Sequence, residues 1–263
     1  MKAIGEYLQA VKSDSSCDFG EWQARCYNNR EGDLNQTDGI DCRECRNKGF
    51  VMDNEGTLHK CKCLKERANW RRIKVSGLRD LDHYTFRNYE IKEDWQRKVR
   101  DTAAMYAKNP QGWFFIGGQT GSGKTHISSA ICRHLIREKK ILYFCWRDEV
   151  PRLKAIVNDD PDEYAKRMAE VKEIEVLYID DLFKTGKGGS PTEADVNLAF
   201  EILNYRYNAG LLTVISSEMT LGQIRTIDDA VAGRIAERAG NYIISIPKGD
   251  AKNYRYKGLE GQG

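Results

Sequence analysis

A glycine-rich segment constrains the fold of this chain more than any other feature of its sequence. It reads Gly118-Gln119-Thr120-Gly121-Ser122-Gly123-Lys124-Thr125 and matches the pattern G-x-x-x-x-G-K-[ST]. An apolar segment precedes it and a helical pattern follows it, so backbone N–H groups and a helix N-terminus can surround phosphate oxygens. We therefore expect residues 118–126, with His126 at the end, to bind ATP or ADP. Lys124 would reach the β and γ phosphates and Thr125 would bind Mg²⁺.

Two adjacent aspartates follow a second apolar segment. The run Val176-Leu177-Tyr178-Ile179-Asp180-Asp181 has the form of a buried strand that ends in carboxylates. Asp180 is predicted to hold Mg²⁺ through its water shell, and Asp181 to act as the base or the positioning group for an attacking water. The alternative is an ordinary aspartate-rich turn at a strand end.

The region around these two motifs alternates between strand and helix patterns. Candidate strands cover residues 113–117, 141–146, 176–180, 212–216 and 242–246. Candidate helices begin at Asp94 and cover about 125–138, 149–157, 161–173, 191–208 and 228–238, and Ser190, Pro191 and Glu193 have the pattern of an N-cap, a first-turn proline and a capping-box acid. Such alternation predicts an α/β fold with a five-stranded parallel sheet between helices. The strand at 141–146, between the loop helix and the acidic strand, is typical of the additional-strand ATPases.

Cysteine spacing indicates a metal site near the N-terminus. Cys42-x₂-Cys45 and Cys61-x-Cys63 are separated by 15 residues, close to the C-x₂-C-x₁₅₋₂₀-C-x₂-C zinc pattern. We expect these four thiolates to hold one structural Zn²⁺ in a zinc ribbon made of a knuckle and a hairpin. Alternatives stay open at this stage: His59 could replace one thiolate, and Cys17 with Cys26 could form part of the site or remain free thiols. Cys132 and Cys145, inside apolar segments, are interpreted as core residues.

A basic segment follows the cysteines and is interleaved with Trp70. Its members are Lys60, Lys62, Lys65, Arg67, Arg71, Arg72 and Lys74. It either follows a nucleic-acid backbone, with Trp70 as a stacking surface, or forms the solvated face of a linker helix. Lys184 and Lys187, after the acidic strand, are a second candidate for DNA contact.

The overall composition excludes several classes of protein. The net charge of +3 is too small to indicate nucleic-acid binding by itself. The longest apolar runs are far shorter than the roughly 20 residues that a membrane span needs. The first residues lack the apolar core of a signal peptide, so we expect a cytoplasmic protein with no membrane partner.

Several segments together resemble one protein family. They are Gly-Lys-Thr-His at 123–126, Ile-Asp-Asp-Leu at 179–182, Leu-Asn-Tyr-Arg-Tyr at 203–207, Thr-Val-Ile-Ser-Ser at 213–217 and Gly-Arg-Ile-Ala-Glu-Arg at 233–238. In this order they resemble the DnaC/DnaI-type replicative helicase loaders, AAA+ P-loop NTPases of the IstB/DnaC-like superfamily, and most closely the phage-encoded members. The resemblance covers about residues 40–247.

The resemblance implies roles for further residues. Ser217 matches the sensor-one region that reads the γ phosphate, with Ser216 and Glu218 as alternatives, because many relatives have Asn there. Arg234 and Arg238 lie one helical turn apart, and Arg238 is expected to reach ATP on a neighbouring subunit. Asp181 stands where many AAA+ ATPases have Glu, which implies slow, switch-like hydrolysis. Seventeen residues follow Ile246, so the C-terminal helical lid of many AAA+ proteins is expected to be missing, as in these loaders.

These expectations combine into one organisation and one leading function. Residues 1–75 form a zinc-binding, helicase-interacting domain, 76–110 a linker and helix, 111–250 the AAA+ ATPase domain, and 251–263 a short tail. The leading function is an ATP-dependent loader that self-associates into an AAA+ oligomer or helical assembly and delivers a DnaB-family helicase to single-stranded DNA. The alternatives are an IstB-type transposition helper ATPase that binds duplex DNA, and a zinc-dependent DNA-binding adaptor with a vestigial nucleotide site.

Overall fold

The computed structural model describes residues 18–78, 81, 83–186 and 189–249. These residues form two compact units that meet in sequence between Arg71 and Arg72. Across the described ranges, every helix is too short or too polar to cross a bilayer.

In its described residues, the first unit contains three helices and one hairpin. Helices α1 (Phe19–Asn29) and α2 (Leu34–Asp38) precede strands β1 (Phe50–Met52) and β2 (Leu58–Lys60), and α3 (Cys63–Ser76) begins directly after them. The strands pair antiparallel with Val51 opposite His59. Asp53 closes the hairpin turn, because its carboxylate accepts hydrogen bonds from the N–H groups of Glu55 and Thr57. The buried side chains of this unit include the thiols of Cys45, Cys61 and Cys63, with Val51 packed against them.

The second unit is built on a five-stranded sheet. Its strands are β3 (Trp113–Gly118), β4 (Ile141–Cys145), β5 (Val176–Asp180), β6 (Leu212–Ser217) and β7 (Ile243–Ile246). They lie in the order β4-β5-β6-β3-β7, and every pairing is parallel. Strand β6 therefore separates the loop strand β3 from the acidic strand β5. The predicted strand that comes between them in the chain, β4, lies at the edge instead.

Helices cover both faces of this sheet. They are α4 (Asp94–Lys108), α5 (Lys124–Leu135), α6 (Trp146–Asp159), α7 (Pro161–Glu173), α8 (Glu193–Asn208), α9 (Leu221–Ile227) and α10 (Asp229–Ala239). Alternate residues of β3 supply the two cores: Trp113 and Phe115 pack with α6 to α10, while Phe114 and Ile116 pack with α4 and α5. The predicted α/β class, with a parallel five-stranded sheet between helices, is confirmed.

Some predicted boundaries were wrong. Helix α8 begins at Glu193 with Thr192 as N-cap, so Ser190 is not the cap, and Pro191 and Glu193 do not have the roles predicted for them. The acid that completes the capping box with Thr192 is Asp195, which is the third residue of the helix. Its carboxylate accepts a hydrogen bond from the Thr192 N–H at 2.8 Å. Helix α6 begins at Trp146, which the sequence placed in a strand, and α9 was not predicted.

Candidate functional site

The glycine-rich loop joins β3 to α5 at the carboxyl edge of the sheet. Gly118 and Gly123 have φ values of 111° and 85°, in the region that favours glycine. A Cβ at Gly118 would lie 2.1 Å from the Ile246 carbonyl oxygen, since β3 pairs closely with β7 there. The loop conformation thus depends on glycine for both its dihedral angles and its close approach to a neighbouring strand.

Lys124 lies inside this loop. Its Nζ donates hydrogen bonds to the carbonyl oxygens of Gly118 at 3.0 Å and Gln119 at 2.8 Å, and Ser122 Oγ donates to the same Gln119 oxygen at 2.7 Å. Burial lowers the pKa of Lys124, although the charges of Asp181 and Glu218 oppose that shift. A cation in this position is available to an anion that enters the loop.

Asp180, at the end of β5, is a buried acceptor of hydroxyl hydrogen bonds. Tyr178 donates at 2.8 Å, Tyr143 at 3.1 Å and Thr125 at 3.3 Å, and Ser216 Oγ is a further donor. Burial raises the pKa of Asp180, and the negative charge of Asp181 raises it further. The hydroxyl hydrogen bonds lower this pKa, but by less. The Thr125 contact brings the two predicted magnesium ligands together.

Asp181 is oriented differently from its neighbour. Its φ of 59° is left-handed, and its N–H donates to Ser216 Oγ at 3.1 Å. The carboxylate accepts from Lys184 Nζ at 2.9 Å, and the same ammonium lies 2.9 Å from Glu218. Three charged side chains therefore meet beside the loop.

These groups line a cleft of about 390 Å³. Part of the cleft lining comes from the segment that was predicted to be a linker, and it includes Tyr84 and Tyr89. The His126 ring lies 4.7 Å from that of Tyr84 and 5.2 Å from that of Tyr89, and His126 Nε2 lies 2.9 Å from the Thr85 carbonyl oxygen. Burial lowers the pKa of His126, so the neutral ring donates its Nε2 proton to that carbonyl. The closely spaced aromatic residues at 84–89 were the sequence signal that could have indicated this part of the cleft.

The sensor candidates separate in the structure. Ser217 is buried, and its hydroxyl donates to the Leu182 carbonyl oxygen at 2.8 Å. Ser216 bonds both aspartates of the acidic pair. Glu218 alone of the three lines the cleft, with Thr120 and Lys124.

The two arginines of α10 lie away from the cleft. Arg234 donates to Asn204 Oδ1 at 2.9 Å and stacks 4.5 Å over the Phe200 ring. The Arg238 carbonyl packs against Gly112, just before β3, which is the opposite end of that strand from the loop. The Arg238 Nε atom is buried and has no hydrogen-bond partner among the described residues.

Arg206, from the Leu-Asn-Tyr-Arg-Tyr segment, is buried within the protein and does not line the cleft. It is fully buried on α8 and donates to the carbonyls of Val171, Lys172 and Ile174 at 2.9–3.2 Å. These oxygens belong to the C-terminal end of α7, where a cation is favoured by the helix dipole. Burial lowers the pKa of Arg206 to about 9.

The four predicted cysteines form one cluster in the first unit. The sulfur atoms of Cys42, Cys45, Cys61 and Cys63 all lie within 4.8 Å of one another. The Cys42–Cys61 and Cys45–Cys63 separations are 3.6 and 3.5 Å. Four thiolates at about 2.3 Å from zinc would be roughly 3.8 Å apart, so this donor set fits a tetrahedral ion.

The neighbouring candidates are not in this cluster. The His59 Nε2 atom lies 2.5 Å from Asp53 Oδ2, on the hairpin. Cys26 is in the described region but outside the four-sulfur group, and Cys17 lies outside the described residues. The predicted knuckle, which follows Cys45, is stabilised by the Gly49 N–H, which donates to Cys45 Sγ at 3.2 Å.

The basic segment divides between two environments. Arg67 is fully buried and pairs with Asp38, so its inclusion in a surface patch was wrong. Arg72 donates to the carbonyl oxygen of Ile136, near the C-terminal end of α5. Exposed basic side chains in this segment are Lys60, Lys62, Lys65, Arg71 and Lys74. Trp70 is half-buried, and Lys187 lies outside the described residues.

Comparisons with known proteins agree with this geometry. A family model described as IstB-like ATP binding protein matches residues 43–240. The uncharacterized protein YqaM of Bacillus subtilis (strain 168) is 31% identical over 75% of this chain and 66% of its own length. Phage-like element PBSX protein XkdC of the same strain is 30% identical over 83% of this chain and 87% of XkdC.

Proteins that act in replication match a smaller share. The replicative helicase loader DnaC of Buchnera aphidicola (subsp. Baizongia pistaciae) is 28% identical over 50% of this chain and 54% of its own length. The chain therefore spans about two thirds of YqaM and about half of this DnaC. A crystal structure of the DnaC helicase loader has the same fold, with a TM-score of 0.50 at 22% identity over 63% of this chain and 97% of that one.

Proposed function

This chain belongs to the IstB/DnaC-like family of ATP-binding proteins, and from that membership we propose that it is an ATP-dependent loader of a replicative helicase. It would bind a DnaB-family helicase and deliver it to single-stranded DNA in the bacterial cytoplasm. The resemblance to DnaC/DnaI-type loaders is confirmed, and the match to a phage-like element protein fits a phage origin.

One observation favours loading over the family's other activities. An intact phosphate cleft and a four-cysteine cluster occur in two separate units of one chain. The cleft can respond to nucleotide, while the N-terminal unit offers a stable surface of its own for a protein partner.

The cleft supports slow ATP hydrolysis. Lys124 and the loop N–H groups would bind the phosphates, and Asp180 with Thr125 would hold Mg²⁺, which neutralises phosphate charge when bound. Asp181 would accept a proton from water as the water oxygen bonds to the γ phosphorus and the bond from that phosphorus to the ADP oxygen breaks. The aspartate side chain is one methylene shorter than glutamate, so we expect less favourable positioning of the water and a low rate.

The cysteine cluster would hold one structural Zn²⁺. All four ligands are sulfur, which leaves no open coordination position for catalysis. The ion would stabilise the N-terminal unit, which has few large buried apolar side chains among its described residues.

Assembly would complete the nucleotide site from a neighbouring subunit. Arg238 lies against the start of β3, roughly 17 Å along that strand from the loop at about 3.3 Å per residue. That distance prevents Arg238 from reaching its own cleft and leaves it available to a second copy of the chain. Arg234, paired with Asn204, would help orient this helix face.

The alternative function is an IstB-type transposition helper, because the matching family model is described as IstB-like. Such a protein would bind duplex DNA together with a transposase. A loader would instead act on a helicase and single strands, so the two functions differ in DNA form and in protein partner.

The decisive experiment is a loading assay with the full chain. DnaB-family helicases, including that of Bacillus subtilis because two relatives come from that species, are mixed with circular single-stranded DNA coated with a single-strand binding protein. We expect ATP and the chain together to increase helicase-dependent strand displacement. Lys124→Ala and the Cys42→Ser, Cys45→Ser double variant should each fail to stimulate, and Lys166→Ala, on an exposed surface pair, should act as wild type.

A different outcome would favour the alternative. Tight binding to duplex DNA, with no effect on any helicase tested, would reject the loader proposal.

A further inference from the structure

Lys184 has an environment that neither the motifs nor the proposed function explains. Its Nζ lies 2.9 Å from a carboxylate oxygen of Asp181 and 2.9 Å from one of Glu218. The side chain is only 23% exposed and faces the nucleotide cleft, although the sequence suggested contact with DNA. Lys184 is thus a second lysine that lines the cleft, together with the loop lysine Lys124.

The turn that presents Lys184 is held firmly. Asp181 and Phe183 have φ values of 59° and 64°, which are unfavourable for residues with a Cβ. Phe183 is buried with its ring 5.6 Å from that of Trp146, and Ser217 Oγ bonds the Leu182 carbonyl oxygen at 2.8 Å. The core and β6 therefore fix the backbone at Lys184, and only its four-carbon side chain is free to reorient.

Two carboxylates share the ammonium of Lys184. Asp181 and Glu218 are each about one quarter to one third exposed, and their charges also act on the loop lysine Lys124. Burial alone would lower the pKa of Lys184, but its bonds to Asp181 and Glu218 outweigh burial and raise that pKa. The lysine therefore stays charged across the physiological range, and its charge can pair with either carboxylate or with an anion in the cleft.

We propose that Lys184 is a phosphate-responsive residue, which transfers its ammonium from Asp181 to the terminal phosphate of ATP. This inference rests on the proposed nucleotide site. While Lys184 pairs with Asp181, the carboxylate oxygen that would accept a proton is occupied by the ammonium. A γ phosphate would attract the ammonium and leave Asp181 able to accept a proton from water. ADP lacks that group, so Lys184 would stay with its carboxylates.

Nucleotide affinities test this assignment. Wild type, Lys184→Ala, Lys184→Arg and the surface control Lys166→Ala are titrated calorimetrically with Mg²⁺ and either ADP or the non-hydrolysed analogue AMPPCP. Because a bond between charged groups is at stake, we expect Lys184→Ala to weaken AMPPCP about tenfold or more and to change ADP by less than about twofold. Lys184→Arg should retain most of the AMPPCP affinity, and Lys166→Ala should retain both affinities.

Glu218→Gln provides an independent test in the opposite direction. Removing a carboxylate that competes for Lys184 should strengthen AMPPCP binding by roughly threefold, and it should strengthen ADP binding by less. Equal changes for the two nucleotides in Lys184→Ala, or weaker AMPPCP binding in Glu218→Gln, would overturn the inference. If wild type binds neither nucleotide, the nucleotide site itself is wrong, whereas binding that is lost only in Lys124→Ala would reject Lys184 alone.

Discussion

Adjacent aspartates at the end of β5 differ because their surroundings differ. Asp180 points into the protein, where the hydroxyl donors include Tyr178 and Ser216, and Asp181 points into the cleft toward Lys184. Burial raises the pKa of Asp180. The fold therefore keeps at Asp180 a carboxylate that would be more stable in water, which is typical of a site that binds a cation.

Asp180→Asn should stabilise the fold and abolish magnesium-dependent hydrolysis. A carboxyl whose pKa rises on folding contributes its full stability below its unfolded pKa and loses it as the pH rises through the folded value. The asparagine side chain carries no charge to bury at pH 7. We therefore expect the free energy of unfolding of Asp180→Asn, measured in urea titrations, to be roughly 1 kcal/mol higher than that of wild type.

The pH dependence supplies the control. The advantage of Asp180→Asn should shrink as the pH falls toward about 4, where the unfolded aspartate takes up a proton. A variant that is less stable than wild type at pH 7 would contradict this account of Asp180.

At the scale of elements, α8 stabilises the end of α7 through one buried side chain. Besides the carbonyls at the end of α7, Arg206 donates to the Leu212 carbonyl at 2.5 Å and to Thr213 Oγ1 at 3.0 Å. It therefore joins a helix end to the start of β6. Two strands, β4 and β5, separate β6 from the loop in the chain, but β6 is adjacent to the loop strand β3 in the sheet. The recurrent Leu-Asn-Tyr-Arg-Tyr segment is thus explained by packing.

Arg206→Met should destabilise the second unit strongly. The methionine fills much of the volume but leaves several buried carbonyl oxygens without a donor, at a cost of roughly 3 kcal/mol or more. The matched change Arg225→Met removes an exposed pair with Asp229 and should cost less than about 0.5 kcal/mol. Thermal melts of the two variants make the comparison, and equal losses would argue against the capping role.

The proposed zinc site would be the main source of stability for the knuckle and hairpin. Cys42→Ser with Cys45→Ser should remove one Zn²⁺ per chain and unfold residues of the first unit, because a structural zinc site supplies folding free energy directly. Metal analysis and limited proteolysis measure both effects, and nucleotide binding by the second unit should persist. Cys26→Ser is the matched control, and zinc that remains in the double variant would refute the assignment.

For the whole molecule, the nucleotide cleft and Arg238 lie at opposite ends of β3 in one chain. A shared site between copies would bring such distant groups together, as closed or helical assemblies do by repeating one interface. The proposed loader activity would then depend on protein concentration as well as on ATP.

Arg238→Ala should leave the ATP affinity of the monomer nearly unchanged and reduce both hydrolysis and assembly. An arginine that acts from a neighbour contributes about 10³–10⁵ in rate in GTPases, and less in a slow ATPase. Mixing Arg238→Ala with Lys124→Ala should partly restore hydrolysis, because each variant supplies the half-site that the other lacks. Light scattering and phosphate release follow both effects. No recovery, with wild type monomeric in ATP, would reject the shared site.

The sequence by itself determined the features whose signals are contiguous. The Gly118–Thr125 pattern, the aspartates after an apolar run and the cysteine spacing each specify local geometry, because their chemistry requires particular residues a few positions apart. The alternation of strand and helix patterns then determined the α/β class. A strand such as β3 is apolar along its whole length, and such a strand is stable only in a sheet whose two faces are both covered by helices.

Only the tertiary structure decided which distant residues meet at those motifs. Tyr89 lines the cleft beside the loop, although it belongs to a segment that was predicted to be a linker. Arg67 is buried and pairs with Asp38, which lies 29 positions earlier in the sequence. Ser217 is turned toward Leu182, while Glu218 faces the cleft with Lys184. Neighbouring residues in the chain thus acquire different roles because side chains on opposite faces of a strand enter different surroundings, and packing between elements decides what those surroundings contain.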